Sequence, residues 1–239
     1  MALLDKPIKL QLIKYHNKTT EEMLQLEEDL LFNSTNNQCM ISSGHEDCII
    51  LGRNENIEET LNLEEKTPPS IIRRFSGGGT VYTDPNTLFI SFIFNTQDLP
   101  FPAYPEKILQ FFHSFYSNVF DPLPFNLKEN DFTIKNKKCG GNAFYITQKR
   151  WIFHTSFLWH YKKENMSFLR FPKKVPKYRK NRSHDAFLCS LKSHFKEKEE
   201  LCNKIQKNLE KQFIIESMNW NEIKSLISNQ TDYKTKKIR

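Results

Sequence analysis

The stretch RRFSGGGTVYTD (73–84) sets the terms for reading this chain. Two arginines and a serine run into three consecutive glycines and then into a β-prone Thr-Val-Tyr, in a chain with only 7 glycines among 239 residues. A flexible linker would spread glycine over a longer span with more serine and no arginine pair. Three glycines also weaken any regular element that contains them, because each loses more backbone entropy on folding than other residues. Such a loop is useful where something must lie against the backbone: missing Cβ atoms permit φ > 0, and bare N–H groups can donate to phosphate or carboxylate oxygens. Arg73 and Arg74 add charge-assisted donors for an anionic ligand. The stretch matches neither GxGxxG nor GxxxxGK[ST], and a strand pattern follows it where those motifs require a helix. Rossmann and P-loop architectures are therefore excluded.

Outward from the loop, IIRRF, GTVYTD and NTLFISFIFN (86–95) read as strands joined by tight turns, with DCIILG (47–52) as a strand before them. TEEMLQLEEDLLF (20–32) predicts a helix with Thr20 as its cap and acids in its first turns. EKILQFFHSFYSNVF (106–120) returns Ile108, Leu109, Phe112, Phe115, Tyr116, Val119 and Phe120 at helical spacing, a core stripe. Two further strands are expected near 130–134 and 150–161, flanking KKCGGNAF (137–144), and a helical pattern runs from 184 onward, including 197–213 and 219–228. Short links between strands predict an α+β fold: one mixed or antiparallel sheet with helices on one side.

Composition bounds the function. No run approaches the roughly 18–20 apolar residues of a membrane span, and the first residues carry charges where a secretory signal would have its apolar core. The 5 cysteines show no CxxC spacing, which predicts reduced thiols in a cytoplasmic protein, with neither a disulfide framework nor a metal site. The net charge is +7, and basic residues gather in KKVPKYRKNR (173–182) and KTKKIR (234–239). Zinc-finger spacing and an aromatic RNP sequence are absent, so the charge argues for an acidic protein or a nucleotide and against nucleic acid.

Two later segments repeat the loop's chemistry. NKKCGGNAFY (136–145) again sets basic residues beside paired glycines, and Lys138 there suits the neutralisation of a phosphate or carboxylate whose charge changes during reaction. WIFHTSFLWH (151–160) places His154, Thr155 and Ser156 in an apolar strand. Without a GxSxG elbow, and with neighbouring strand residues pointing to opposite faces, this is no Ser–His hydrolase, and His154 reads as a core histidine.

In order and spacing, these segments resemble the lipoate–protein ligase A family and the wider lipoate/biotin ligase superfamily, whose catalytic domain has a class II synthetase-like fold. The family's RRxSGGGAV is matched by Arg73 to Val81, its NDL and KxSGSA by Asn130-Asp131-Phe132 and Lys138 to Ala143, and its HHGTLL strand by Phe153 to Leu158. The stretch MSFLRFPKKVPKYRKNRSHDAFLCSL is similar to a plant-type, single-domain branch. The resemblance covers about residues 10–195 and implies a catalytic domain over 1–200, with 201–239 as a helical, basic extension too short for a full accessory domain.

It implies an activity as well: ATP-dependent activation of lipoate to lipoyl-AMP, then transfer to a lysine of a lipoyl carrier domain. Arg74 and the backbone from Gly79 through Thr80 and Val81 to Tyr82 would hold the ATP-derived part, with Gly77 and Gly78 in the same cradle. Lys138 would be catalytic, contacting the carboxylate and the α-phosphate. Ser76 and Asn130 would orient the acyl and phosphate groups, and Asp131 would position a metal or ribose. Mg2+ would accompany ATP, and lipoate would lie in an apolar tunnel along 88–94 and 151–158. The implied partners are acidic lipoyl domains of 2-oxoacid dehydrogenase or glycine-cleavage complexes, steered by the basic late segment, and a separate accessory subunit.

The chain departs from the family pattern at Thr83-Asp84, where a His-Asp is expected, and at Pro85-Asn86 in place of a Gly-Asn turn. The alternatives are an ATP-independent lipoyl or octanoyl transferase, which needs a thiol nucleophile, and a non-catalytic binder of carrier domains. Biotin ligation would require a GRGRxGRxW loop, which RRFSGGGTV is not.

Overall fold

The computed structural model describes residues 7–63, 67–172, 175–226 and 232–239. In chain order the elements are β1 (Ile8–His16), α1 (Thr20–Asn33), β2 (Gln38–Ser43), β3 (Cys48–Leu51), α2 (Ile57–Thr60), β4 (Ser70–Arg73), β5 (Val81–Thr83) and β6 (Thr87–Asn95). Then follow α3 (Pro105–Phe120), β7 (Phe125–Lys128), β8 (Asp131–Ile134), β9 (Lys137–Ile146) and β10 (Arg150–Leu158). The chain continues through α4 (His184–Phe187), α5 (Lys198–Glu210), β11 (Phe213–Met218), α6 (Trp220–Leu226) and β12 (Lys236–Lys237). The strands form an eight-stranded sheet ordered β11-β1-β2-β6-β10-β9-β8-β7 and a four-stranded sheet ordered β12-β4-β3-β5. In the large sheet β1 pairs in parallel with both β11 and β2, and the other pairs are antiparallel. The fold is α+β with mixed sheets.

Alternation along the central strands builds two cores. In β6, Leu88, Ile90, Phe92 and Phe94 face a layer formed by the aromatic stripe of α3 and by Leu201, Cys202, Ile205 and Leu209 of α5. Phe112 anchors that layer, its ring centroid 4.4 Å from those of both Phe92 and Phe153. Phe89 and Ile93 point the opposite way, toward Met23, Leu24, Leu26, Leu30 and Leu31 of α1 and toward Ile50 and Ile72 of the small sheet. Helices thus pack on both faces of the large sheet, which corrects the one-sided arrangement expected above. The expectation failed because β1, β2 and the small sheet supply enough apolar side chains for a second core.

Other local expectations shift for identifiable reasons. Thr19, not Thr20, caps α1: its hydroxyl accepts from Glu22 N–H, and the Glu22 carboxylate returns to Thr19 N–H at 2.8 Å. The segment expected between two strands, 137–144, is itself part of β9, paired with β8 at its start and with β10 over Gly140–Ile146. Within the supposedly helical 184–239, α4 is one turn and Phe213–Met218 is a strand that extends the large sheet at β1.

His45 sits fully buried where α1 meets β2. Its Nδ1 lies 2.6 Å from Lys18 O and its Nε2 3.0 Å from Ser42 Oγ. Burial holds its pKa below the ordinary value, against the opposing pulls of Lys18 O, Glu46 and Glu27. The unfolded chain takes up a proton near pH 6.5 that the buried ring resists, so stability is lost as pH falls through that value. Thermal unfolding should show a lower Tm at pH 5.5 than at 7.5, with a smaller difference in His45→Gln. An unchanged pH dependence in that variant would assign the effect to other groups.

Candidate active site

The glycine loop is held in place before any ligand is considered. Arg74 N–H donates to Leu51 O and Arg53 N–H to Ser76 O, both at 3.0 Å, so the turn after β3 and the loop after β4 are stitched together. A Cβ on Gly52 would stand 1.9 Å from Gly78 O, which makes glycine compulsory there. Gly78 has φ +94°, and a Cβ on it would meet Arg74 Nη2 at 2.8 Å. Gly79 differs: a Cβ there would meet nothing within 4 Å. Both Gly78 and Gly79 are exposed, and among the described residues neither N–H reaches a protein acceptor.

The arginines act on the turn after β3 and on the glycine loop. Arg73 Nη1 donates to the carbonyls of Gly52, Arg53 and Glu55. Arg74, 4% exposed, donates through Nε and Nη2 to Gly77 O and through Nη2 to Gly79 O at 2.9 Å. Burial brings its pKa down to about 10, opposed by Glu27 and Glu55. Arg74 therefore draws loop carbonyls inward, a framework role that the sequence reading had not separated from ligand binding.

Ser76 is buried, and the Thr80 hydroxyl is enclosed without a partner. Val81 and Tyr82 lie in β5, the edge strand of the small sheet, so one side of their backbone has no strand beside it. Their side chains pack away: Val81 toward α1 and the Tyr82 ring against Phe168. Thr83 is buried with its hydroxyl on Cys48 O at 3.2 Å, and Asp84 accepts from Asn86 N–H at 2.8 Å, closing the turn into β6.

β9 brings the second glycine segment against the first. Gly77 N–H donates to Phe144 O at 3.1 Å, and Gly78 abuts Asn142 O and Ala143. Gly140 is needed for packing, since a Cβ would press on the Phe157 ring at 2.9 Å. At Gly141 a Cβ would lie 3.5 Å from Lys138 Nζ, so the lysine reaches along the bare backbone. Lys138 Nζ pairs with Asp131 Oδ1 at 2.7 Å, with side-chain exposures of 24% and 10%. Asp131 Oδ2 in turn accepts the Tyr178 hydroxyl at 2.8 Å. Burial and the Asp131 charge push the Tyr178 pKa well up, so the phenol stays a donor. Asn130 is exposed and fixes the segment through its carbonyl, which accepts Asn142 Nδ2 at 2.8 Å.

Behind the loop, His154 Nδ1 lies 2.9 Å from Glu27 Oε1 and 3.2 Å from Ser91 Oγ, and Ser91 also contacts Glu27. His154 is thus a satisfied core histidine, as expected. Sequence reading missed Tyr178, hidden in a charge run, and Glu27, one of several acids in the first helix; neither has a local signal.

Cys139 and Cys189 lie on the other side of the large sheet. Cys139 is buried in the α3–α5 layer, which pushes its pKa well up, and Cys189 packs against the same layer. Cys189 is not helical: it follows α4 in extended chain, with its N–H on Lys138 O at 2.7 Å.

Residues 19–214 match the model of the lipoyl protein ligase A/B catalytic domain. A Plasmodium falciparum protein named inactive lipoate–protein ligase 2 is 29% identical over 214 residues, covering 74% of this chain and 53% of its own. A probable lipoate–protein ligase A of Mycoplasma genitalium is 35% identical over 116 residues, covering 46% and 33%. The chain thus spans about half or less of the length of these curated relatives. Among solved structures, a bipartite archaeal lipoate–protein ligase from Thermoplasma acidophilum, studied with its E2 lipoyl domain, superposes with a TM-score of 0.73 at 17% identity, covering 92% of this chain and 90% of that one. A lipoate–protein ligase A bound with ATP gives a TM-score of 0.70 at 17% identity, covering 92% of each chain. The family model spans both glycine segments and Lys138, and the chain belongs to the lipoyl protein ligase A/B catalytic-domain family.

Proposed function

We propose that this chain activates lipoate with ATP and passes the lipoyl group to a lysine of an acidic lipoyl carrier domain. The observation that carries the reading is the meeting of the exposed Gly78–Gly79 backbone with β9, where Lys138 is held by Asp131 beside Gly141. A lipoate carboxylate oxygen attacks the α-phosphorus, the bond to the bridging oxygen breaks, and pyrophosphate leaves. The acceptor amine then attacks the acyl carbon, the bond to AMP oxygen breaks, and the amine gives up its proton. Lys138 suits both steps as a positive group fixed where oxyanion charge builds, and the Tyr178–Asp131 pair keeps it from swinging away. Mg2+ accompanying the nucleotide would neutralise phosphate charge.

The relatives support parts of this reading: solved family members include one with ATP, one with lipoate and one studied with a lipoyl domain. Exposed Lys177 and Lys180 offer a positive rim to an acidic carrier; Lys173 and Lys174, expected to share that task, lie outside the described residues. No helix among the described residues is long and apolar enough to cross a membrane, and a reducing compartment such as the cytoplasm fits the 5 free thiols.

A thiol-dependent transferase is disfavoured because burial in or against the α3–α5 layer raises the Cys139 and Cys189 thiols above their ordinary pKa, away from the thiolate a nucleophile needs. The second reading is a chain that transfers from preformed lipoyl-AMP but does not make it, alone or without an accessory subunit. Thr83 favours it, because its side chain is spent on Cys48 O at the position where the family pattern described above expects a histidine. The test is intact-mass analysis of an apo lipoyl domain incubated with the protein and either lipoate, ATP and magnesium, or lipoyl-AMP alone. A mass gain in both arms supports the ligase, a gain only with lipoyl-AMP supports the second reading, and no gain in either rejects both.

A further inference from the structure

A second basic cluster gathers Arg179, Arg182 and His184 around the rings of Phe171 and Phe187. Arg179, 3% exposed, has its guanidinium 4.1 Å from the Phe171 ring centroid and 4.7 Å from that of Phe187. Its Nε donates to Arg182 O, while its Nη2 is enclosed without any partner. Arg182 donates only to the carbonyls of Arg179, Asn136 and Tyr178. Among the described residues, no carboxylate stands within ion-pair distance of either guanidinium. The nearby acids are committed: Asp131 to Lys138 and Tyr178, Glu129 to the Tyr178 N–H at 3.2 Å, and Asp185 to Lys163 at 3.2 Å. His184 lies against the same Phe171 ring, 6.0 Å between centroids, and its Nε2 is also enclosed without a partner.

Buried charges are normally paired, because desolvation is otherwise uncompensated, and a buried donor left without an acceptor bears its full desolvation cost. An unpaired guanidinium beside an unpaired imidazole nitrogen therefore has the makings of a site short of one ligand, and the ligand must be an anion with several acceptor oxygens. Tyr178 ties the cluster to Asp131 and so to Lys138.

We propose that Arg179 and His184 form an oxyanion subsite that takes a phosphate group next to the Lys138–Asp131 pair. Phe171, 47% exposed, is the cover that turns aside to admit it. The natural ligand rests on the activation reading: it is the pyrophosphate end of the nucleotide, held as it leaves. Binding of a phosphate-class anion does not rest on that reading.

The full chain is titrated calorimetrically with inorganic pyrophosphate, and separately with inorganic phosphate, in 150 mM chloride without nucleotide or lipoate. Saturable pyrophosphate binding is expected, about tenfold or more weaker in Arg179→Gln and in His184→Ala, both checked for folding by circular dichroism. If Arg179→Gln loses the fold with its ring contacts, His184→Ala decides alone, since it leaves the guanidinium in place. Absence of saturable binding, or wild-type affinity in the folded variants, overturns the subsite. Lipoyl-AMP formation is measured in parallel: pyrophosphate binding that needs Arg179 without adenylate formation keeps the subsite and rejects activation. Adenylate formation with pyrophosphate binding indifferent to both substitutions does the reverse.

Discussion

Lys138→Ala is expected, on the function proposed above, to slow lipoyl transfer by about 10²–10³-fold, the loss typical of removing one preorganised donor from a site of developing negative charge. The fold should survive. The Lys138 side chain is 24% exposed and its polar contact is Asp131, which keeps the Tyr178 hydroxyl as a partner. A partly exposed ion pair of this kind contributes up to about 1 kcal/mol. Rate and stability effects therefore separate, and single-turnover transfer from lipoyl-AMP, measured beside a thermal melt, reads them independently. Lys138→Arg sharpens the result: it keeps the charge but brings a planar fork where a compact ammonium fits beside Gly141. A folded Lys138→Ala protein with wild-type turnover would remove the lysine from the mechanism.

The glycines divide by task, and alanine substitution tells them apart. Gly52→Ala sets a Cβ 1.9 Å from the Gly78 carbonyl, and backbone on one side or the other must move. The cost is expected near the top of the overpacking range, about 3 kcal/mol, a fall in Tm of roughly 6–12 °C for a chain of this size. Gly79→Ala meets no neighbour within 4 Å, so its stability should stay within about 0.5 kcal/mol of wild type. If a nucleotide lies against that backbone, the same methyl group should raise the Kd for ATP about tenfold, or about 1.4 kcal/mol. Calorimetric titration on the two folded proteins checks it. Unaltered ATP affinity in Gly79→Ala would place the nucleotide elsewhere.

That division also marks how far the sequence could be read. The triple glycine announced close backbone approach, and two of its contacts, Gly78 on Arg74 and Gly78 O over Gly52, turned out to be internal to the fold. Gly52 lies 26 positions before Gly78, so no local pattern links them. The α3 stripe was legible because seven apolar side chains at helical spacing admit one arrangement, and all seven are buried. β1 and β11 were not recognised, because a few alternating residues with charges between them, such as IKLQLIKYH, become a strand only when a partner supplies the hydrogen bonds. The consecutive acids Glu27, Glu28 and Asp29 carry no local sign of burial. Each is buried on a separate distant partner: His154, the N–H groups of Lys234 and Thr235, and the Tyr233 hydroxyl. Lys138 and the glycine segments showed their chemistry locally, whereas Tyr178, Arg179 and Glu27 acquire theirs from contacts across the fold.

The edge of the large sheet has a consequence for how the protein comes into being. β1 precedes its outer partner β11 by most of a domain's length, and the Gln11–Glu216 contact on that edge spans 205 positions. At translation rates of about 5–20 residues per second, β1 waits roughly 10–40 s for that partner. Throughout that interval one row of its backbone donors and acceptors has no strand to pair with, a template for association between nascent chains. The sheet that carries Lys138 is therefore completed late, and protection of that edge during synthesis bears on the yield of folded protein alongside the stability of the finished fold.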